Sequence, residues 1–134
     1  MKILFIHHRY HTNLFNWFRG FLENGHEVKL LVYKGDDVNE SDLPRSIRFE
    51  PSKSSLKKMQ KNPRTRGDGV DSFSPYYYPS LKDLYGFLKE YRPDLMVIRP
   101  AFTRYAYRLL FLAIWFRCKI VLHSRILIHR DFSK

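Results

Sequence analysis

Four short apolar runs, separated by stretches with helical periodicity, constrain this chain more than any other feature. Lys2 to Ile6, Val28 to Tyr33, Leu95 to Ile98 and Lys119 to Leu122 are nearly continuous in apolar character and only a few residues long, which is the pattern of strands covered on both faces. Between the first two, Leu14, Trp17, Phe18, Phe21 and Leu22 fall at i, i+3, i+4, i+7 and i+8, one stripe of an amphipathic helix. Thr12 or Asn13 suits its start and Gly25 the left-handed position at its end. Ser80 to Tyr91 repeats the helical pattern, with Leu81, Leu84, Tyr85 and Leu88 as its inward stripe. Ser80 and Asp83 have capping-box spacing, and Arg92-Pro93 stops the helix. Thr103 to Phe116 reads as a helix that is apolar on most sides and therefore needs cover or a partner.

Strands that alternate with helices in this way specify an α/β fold. The expectation is a Rossmann-like three-layer sandwich with a mostly parallel sheet in strand order 3-2-1-4-5. Ser46 to Glu50, where Ile47 and Phe49 alternate, supplies a weak third strand. The 134 residues make one domain, 1–134. Residues 51–79 read as a basic, flexible loop, carrying Lys53, Lys57, Lys58, Lys61, Arg64 and Arg66 against Asp68 and Asp71, with room for a short helix around Leu56 to Gln60. A loop of that length inside a compact domain is usually functional.

Charge narrows the partners. Lys and Arg number 24 against 13 Asp and Glu, a formal charge of +11, which attracts phosphates, anionic lipid or nucleic acid. Cys118 is the single cysteine, so no internal disulfide forms, and it reads as a small buried hydrophobe. The opening apolar run is too short for a signal-peptide core, and Leu109 to Phe116 is too short to cross a bilayer. A cytoplasmic protein is expected, lying at the cytoplasmic face of a membrane. Tyr76-Tyr77-Tyr78 beside basic residues, and Tyr105, Tyr107, Phe111 and Trp115 on the apolar helix, suit an anionic membrane surface.

In open α/β sheets, ligands bind beyond the carboxyl ends of the strands, where the strand order reverses. The residues just past those ends are His7, His8, Arg9 and His11 after strand 1, Lys34 after strand 2, Arg99 after strand 4, and His123 and Arg125 after strand 5. No carboxylate is among them. Helix N-termini also face this rim, so the expected site is an anion-binding crevice that takes a diphosphate or a phosphorylated acceptor. A metal site is not expected, because adjacent histidines on a strand point to opposite sides and no Cys, Asp or Glu joins them. No Gly-x-Gly-x-x-Gly follows strand 1 and no Walker A sequence is present, which argues against a dinucleotide site and excludes a P-loop.

Several segments resemble a known family. Met1-Lys2-Ile3-Leu4-Phe5-Ile6, with a helix ending in Glu23-Asn24-Gly25-His26-Glu27-Val28, resembles the opening of the GT-B glycosyltransferases of the glycosyltransferase 4 family. Tyr91-Arg92-Pro93-Asp94-Leu95-Met96-Val97-Ile98 resembles that family's fourth strand and Lys119-Ile120-Val121-Leu122-His123 its fifth. The resemblance covers most of residues 1–50 and 80–125. It implies an enzyme that moves a sugar from a nucleotide sugar to a glycan or lipid-linked acceptor, with the nucleotide sugar as substrate and no other cofactor. It also implies that this chain is an incomplete, acceptor-side GT-B N-terminal domain, inactive without a C-terminal donor-binding domain or partner chain. His123 would match the catalytic-cleft histidine facing the donor sugar, and His7 to His11 the loop near the donor phosphates. The family's loop after strand 1 is often glycine-rich, whereas His7 to Asn13 contains no glycine, so side chains would have to contact the phosphate there.

Two other readings compete. One is a non-catalytic Rossmann-like module that binds a phosphorylated ligand or a protein. The other is nucleic-acid binding, which rests on charge alone, because no recognition motif is present and the basic residues spread over several loops.

Overall fold

In the computed structural model, which describes residues 1–7, 12–32, 46–61, 78–99 and 104–123, every hydrogen-bonded pair of strands is parallel. The chain runs through β1 (Lys2–His7), α1 (Thr12–Glu23), β2 (Glu27–Val32), β3 (Ile47–Arg48), α2 (Lys53–Lys61), α3 (Leu81–Tyr91), β4 (Leu95–Ile98), α4 (Arg104–Trp115) and β5 (Lys119–Leu122). The strands stand side by side in the order β3-β2-β1-β4-β5. Four of them form the body of the sheet, and β3 adds two rungs at one edge through Leu31↔Ile47 and Val32↔Arg48.

The two faces of the sheet are apolar for the same reason: successive side chains on a strand point to opposite sides. Ile3, Phe5, Val28, Leu30, Val32 and Val97 pack under Leu14 and Phe18 of α1. Leu4, Ile6, Leu31, Met96 and Ile98 pack under Leu84, Leu88 and Tyr91 of α3 and Tyr105, Leu109 and Leu112 of α4. The result is a Rossmann-like sandwich with helices on both faces. Each fully buried aliphatic or aromatic side chain contributes roughly 1.5–3 kcal/mol to that core.

The helix ends follow from local chemistry. Gly25 takes φ +76, and the His26 and Gly25 amides donate to the Phe21 and Leu22 carbonyls at 3.0 and 2.9 Å, a Schellman closure that a residue with a Cβ enters at a cost. Arg117 does enter it, with φ 54, and Cys118 N–H then donates to the Ala113 carbonyl at 2.8 Å. Ser80 Oγ accepts from the Asp83 amide at 3.1 Å. The Asp83 carboxylate accepts from the Ser80 hydroxyl rather than from its backbone N–H, so the capping box closes through the two side chains.

Several sequence expectations are corrected. β1 includes His7, which therefore ends the strand instead of opening the loop. α1 begins at Thr12, so Thr12 and Asn13 belong to the helix itself. Trp17 and Leu22, placed on the inward stripe of α1, are exposed. The inward stripe of α3 is Leu84, Leu88 and Tyr91, while Leu81 and Tyr85 face outward. Residues 53–61 of the long basic stretch form α2. That helix is tied down where the Ser52 amide donates to the Tyr78 carbonyl at 2.9 Å and Tyr78 N–H donates to the buried Ser55 Oγ at 3.2 Å. Cys118 is buried as expected but sits in the turn between α4 and β5.

The amino edge of the sheet is closed by its own polar groups. The Lys2 amide donates to the Asp94 carboxylate at 2.6 Å, and the Asp94 amide donates to the Lys2 carbonyl at 2.8 Å. The Asp94 carbonyl in turn accepts from Lys119 N–H at 3.0 Å, so one residue links the starts of β1, β4 and β5. The Tyr91 hydroxyl lies 3.2 Å from the Ile3 carbonyl and 3.3 Å from that of Glu27. The ammonium groups of Lys29 and Lys2 sit 4.4 and 5.6 Å from its ring centre.

Candidate functional site

The strand register brings the carboxyl edge together from four distant parts of the chain. Ile6 pairs with Ile98 and Ile98 with Leu122, while His7 pairs with Val32 and Val32 with Arg48. Beyond the last paired residues the ladder continues by one step: Arg99 N–H donates to the Ile6 carbonyl at 2.9 Å and His123 N–H to the Ile98 carbonyl at 3.0 Å. Arg48, Val32, His7, Arg99 and His123 thus occupy successive strands at one level. No carboxylate stands on that rung, and Glu50, two residues beyond Arg48, is exposed.

The side chains on the rung differ in access. His7 is 2% exposed. By strand alternation it lies on the face of Ile3 and Phe5, the face that α1 covers. His7 is thus a buried member of the rung, whereas a rim position was expected for it. Arg99 and His123 are half-buried. The His123 ring stacks on the Trp17 indole with centroids 5.6 Å apart and planes 26° from parallel. Trp17 is itself 48% exposed and makes an edge contact with Phe5 at 6.4 Å, so α1 holds the His123 ring against one wall. His8, Arg9, His11, Lys34 and Arg125 lie outside the described residues.

α1 after β1 and α4 after β4 both begin at this edge. Neither has an acidic residue in its first turn, although acids there are the usual means of offsetting the positive end of the helix dipole. α3, which precedes β4 and so starts at the same edge, does carry one, Asp83, with Ser80 as its cap. The backbone N–H groups at the starts of α1 and α4 therefore add to the positive potential of the rung. Among the described residues, no three His, Cys, Asp or Glu side chains come close enough to share a metal ion.

Arg48 and Trp17 escaped the sequence reading. Arg48 reaches the rung only through a two-residue strand whose register no local pattern encodes. Trp17 falls on the same helical stripe as Leu14 and Phe18, and nothing in its spacing distinguishes a residue over the core from one at the core's margin.

The arrangement defines a Rossmann-like α/β domain with a cation-lined carboxyl edge. No family model, no curated protein and no solved structure matches the chain. Among the described residues, no helix is long and apolar enough to cross a membrane.

Proposed function

We propose that the chain is the acceptor-side half of a GT-B glycosyltransferase and that its carboxyl edge receives the phosphates of a nucleotide sugar or of a phosphorylated, lipid-linked acceptor. The observation that carries this reading is the rung His7-Arg99-His123, free of carboxylates and flanked by two helix starts without acidic residues. The resembling segments support it as well. Gly25 and His26 form the turn into β2, Pro93-Asp94 leads into β4, and Lys119 to Leu122 forms β5.

The chemistry suits such an edge. In sugar transfer the bond from the anomeric carbon to the diphosphate oxygen breaks and a bond to the acceptor hydroxyl oxygen forms. The acceptor proton is released, and negative charge grows on the departing diphosphate. Fixed cations and backbone N–H groups aimed at that charge stabilise the transition state more than the ground state. Arg99 supplies a permanently charged donor, and His123, its ring set by Trp17, supplies a donor beside the sugar. In this reading the acidic donor-binding motif stands in a second, donor-side domain.

A titration tests it. Uridine diphosphate, inorganic phosphate and uridine are added separately to the isotopically labelled chain while amide shifts are recorded. Shifts centred on His7, Arg99 and His123 with the diphosphate, weaker with phosphate and absent with uridine, support the anion site. Loss of roughly a factor of ten in affinity is expected for Arg99→Ala, the value of one charge-assisted hydrogen bond. Shifts centred on the amino edge, or equal response to uridine, reject it. Incubation with labelled nucleotide sugars and a lipid-linked acceptor then tests the transfer itself.

A further inference from the structure

α4 is apolar on both its inner and its outer side, Arg104 and Arg108 being its only charged residues, yet only the inner side is covered. Tyr105, Ala106, Leu109, Leu112 and Ala113 face the sheet and are buried. On the opposite side Tyr107, Phe111, Ile114 and Trp115 form a continuous ridge, with Ile114 72% and Trp115 65% exposed. The ridge merges with the outward Leu81 and Tyr85 of α3 across a groove of about 330 Å³ lined by Leu81, Lys82, Tyr85, Phe111, Leu112 and Trp115. A contiguous patch of this kind marks a contact surface.

Its chemistry selects the occupant. Among the described residues the groove is lined by only two polar groups, Lys82 and the Tyr85 hydroxyl, too few to orient a soluble ligand. α4 contains no acidic residue. Helical spacing puts Lys82 and Lys89 of α3 on the flank that carries Leu81 and Tyr85, and turns Asp83 and Glu90 to the other flank. Arg117 and Lys119, both exposed, close the far end of the ridge. Two copies meeting through this face would bring like-charged rims together, on chains that each carry +11, since a two-fold contact pairs a patch with itself. An aromatic and aliphatic ridge inside a basic rim is instead complementary to the interface of an anionic bilayer, where Trp and Tyr sit at the head-group level, aliphatic side chains reach the acyl boundary and each Lys or Arg adds attraction.

We propose that the outer face of α4, with Leu81 and Tyr85 of α3, is a monotopic docking surface for anionic phospholipid. The surface lies on α3 and α4, away from the rung at the carboxyl edge, and the inference does not rest on the sugar-transfer reading.

The test uses the whole chain. With Trp17→Phe, Trp115 remains the only tryptophan of the two, and its emission reports the ridge. Vesicles of phosphatidylcholine alone, or with about one third phosphatidylglycerol, are added while emission and co-sedimentation are followed. Expected are a blue shift with the anionic vesicles, quenching by lipids brominated along the acyl chain, and little response to the neutral ones. Phe111→Asp, on an exposed position that leaves the melting curve in place, should weaken vesicle binding at least about tenfold through the loss of one buried ring. Three outcomes overturn the proposal. One is no binding to either vesicle. Another is anionic binding that leaves Trp115 emission at its aqueous wavelength and survives Phe111→Asp, which assigns the attraction to basic segments elsewhere. The third is a lipid-free dimer abolished by Phe111→Asp, which gives the face to a second copy.

Discussion

The two edges of one sheet are built from opposite chemistry. At the amino edge, carboxylates, a phenol and ammonium groups meet and satisfy one another: Asp94 links three strand starts, and Tyr91 lies beneath Lys2 and Lys29 with its hydroxyl against two strand carbonyls. At the carboxyl edge, Arg48, Arg99 and two histidines share a rung with no carboxylate. A polar group already paired within the chain contributes to stability and has little left for a ligand. A run of cationic and imidazole residues on one rung instead sets up a positive potential that attracts anions. The amino edge is accordingly where substitutions should unfold the protein, and the carboxyl edge where they should disarm it.

The largest expected effect is at Tyr91. Tyr91→Ala removes a buried ring and hydroxyl and should cost about 3–5 kcal/mol, read from the urea midpoint, the range for large aromatic truncations in a core. If the chain tolerates it without loss, the amino edge is not the anchor described here.

Alkali should attack the same edge next. Burial, with a smaller contribution from the Asp94 carboxylate, pushes the Cys118 thiol up to about 11. Burial together with Glu27 and Asp94 raises Tyr91 above the usual tyrosine value. The folded state then holds protons that the unfolded chain has released, so stability falls as pH rises. The thiol's share of that fall begins near its unfolded pKa of about 8.5 and runs to about 11, and Tyr91 extends the loss further. Melting temperatures of the native chain and of Cys118→Ala between neutral pH and pH ~10.5 should diverge with this sign. Parallel curves would show that the thiol does not contribute.

Asp94→Ala should cost about 1–2 kcal/mol, since it removes a charge-assisted hydrogen bond at a solvent-exposed position. Its amide and carbonyl would still link the strands. The smallest effect on folding is expected at the other edge. Arg99→Ala, at a half-buried side chain, should cost less than about 1 kcal/mol while weakening diphosphate binding roughly tenfold. Trp17→Ala should leave diphosphate contact at Arg99 in place but free the His123 ring, seen as a loss of its ring-current shifts. A variant set in which Arg99→Ala unfolds the chain and Tyr91→Ala only weakens binding would invert the comparison.

The difference between the edges was legible in part. The four-strand parallel body, the helices between its strands and the concentration of cations past the strand ends follow from local spacing. A strand buried on both faces must be continuously apolar, and a helix against a sheet must repeat near 3.6 residues. The Pro93-Asp94 pair was legible as a motif, but its work as a three-strand tie was not, because that depends on which amides the register brings to the carboxylate. The same limit explains His7: the sequence marked a histidine at a strand end, while its burial depended on what the fold packs over that strand.

Sequence alone thus settled the elements and their sign of charge, because periodicity, turn residues and composition act between neighbours along the chain. Tertiary structure alone decided that Arg48, His7, Arg99 and His123 share one level, that Trp17 leaves the core to stack on His123, and that Leu81 and Tyr85 turn outward beside α4. Those outcomes depend on strand register and on which side of each helix meets the sheet. Both are fixed by contacts between residues far apart in sequence, where local spacing carries no information.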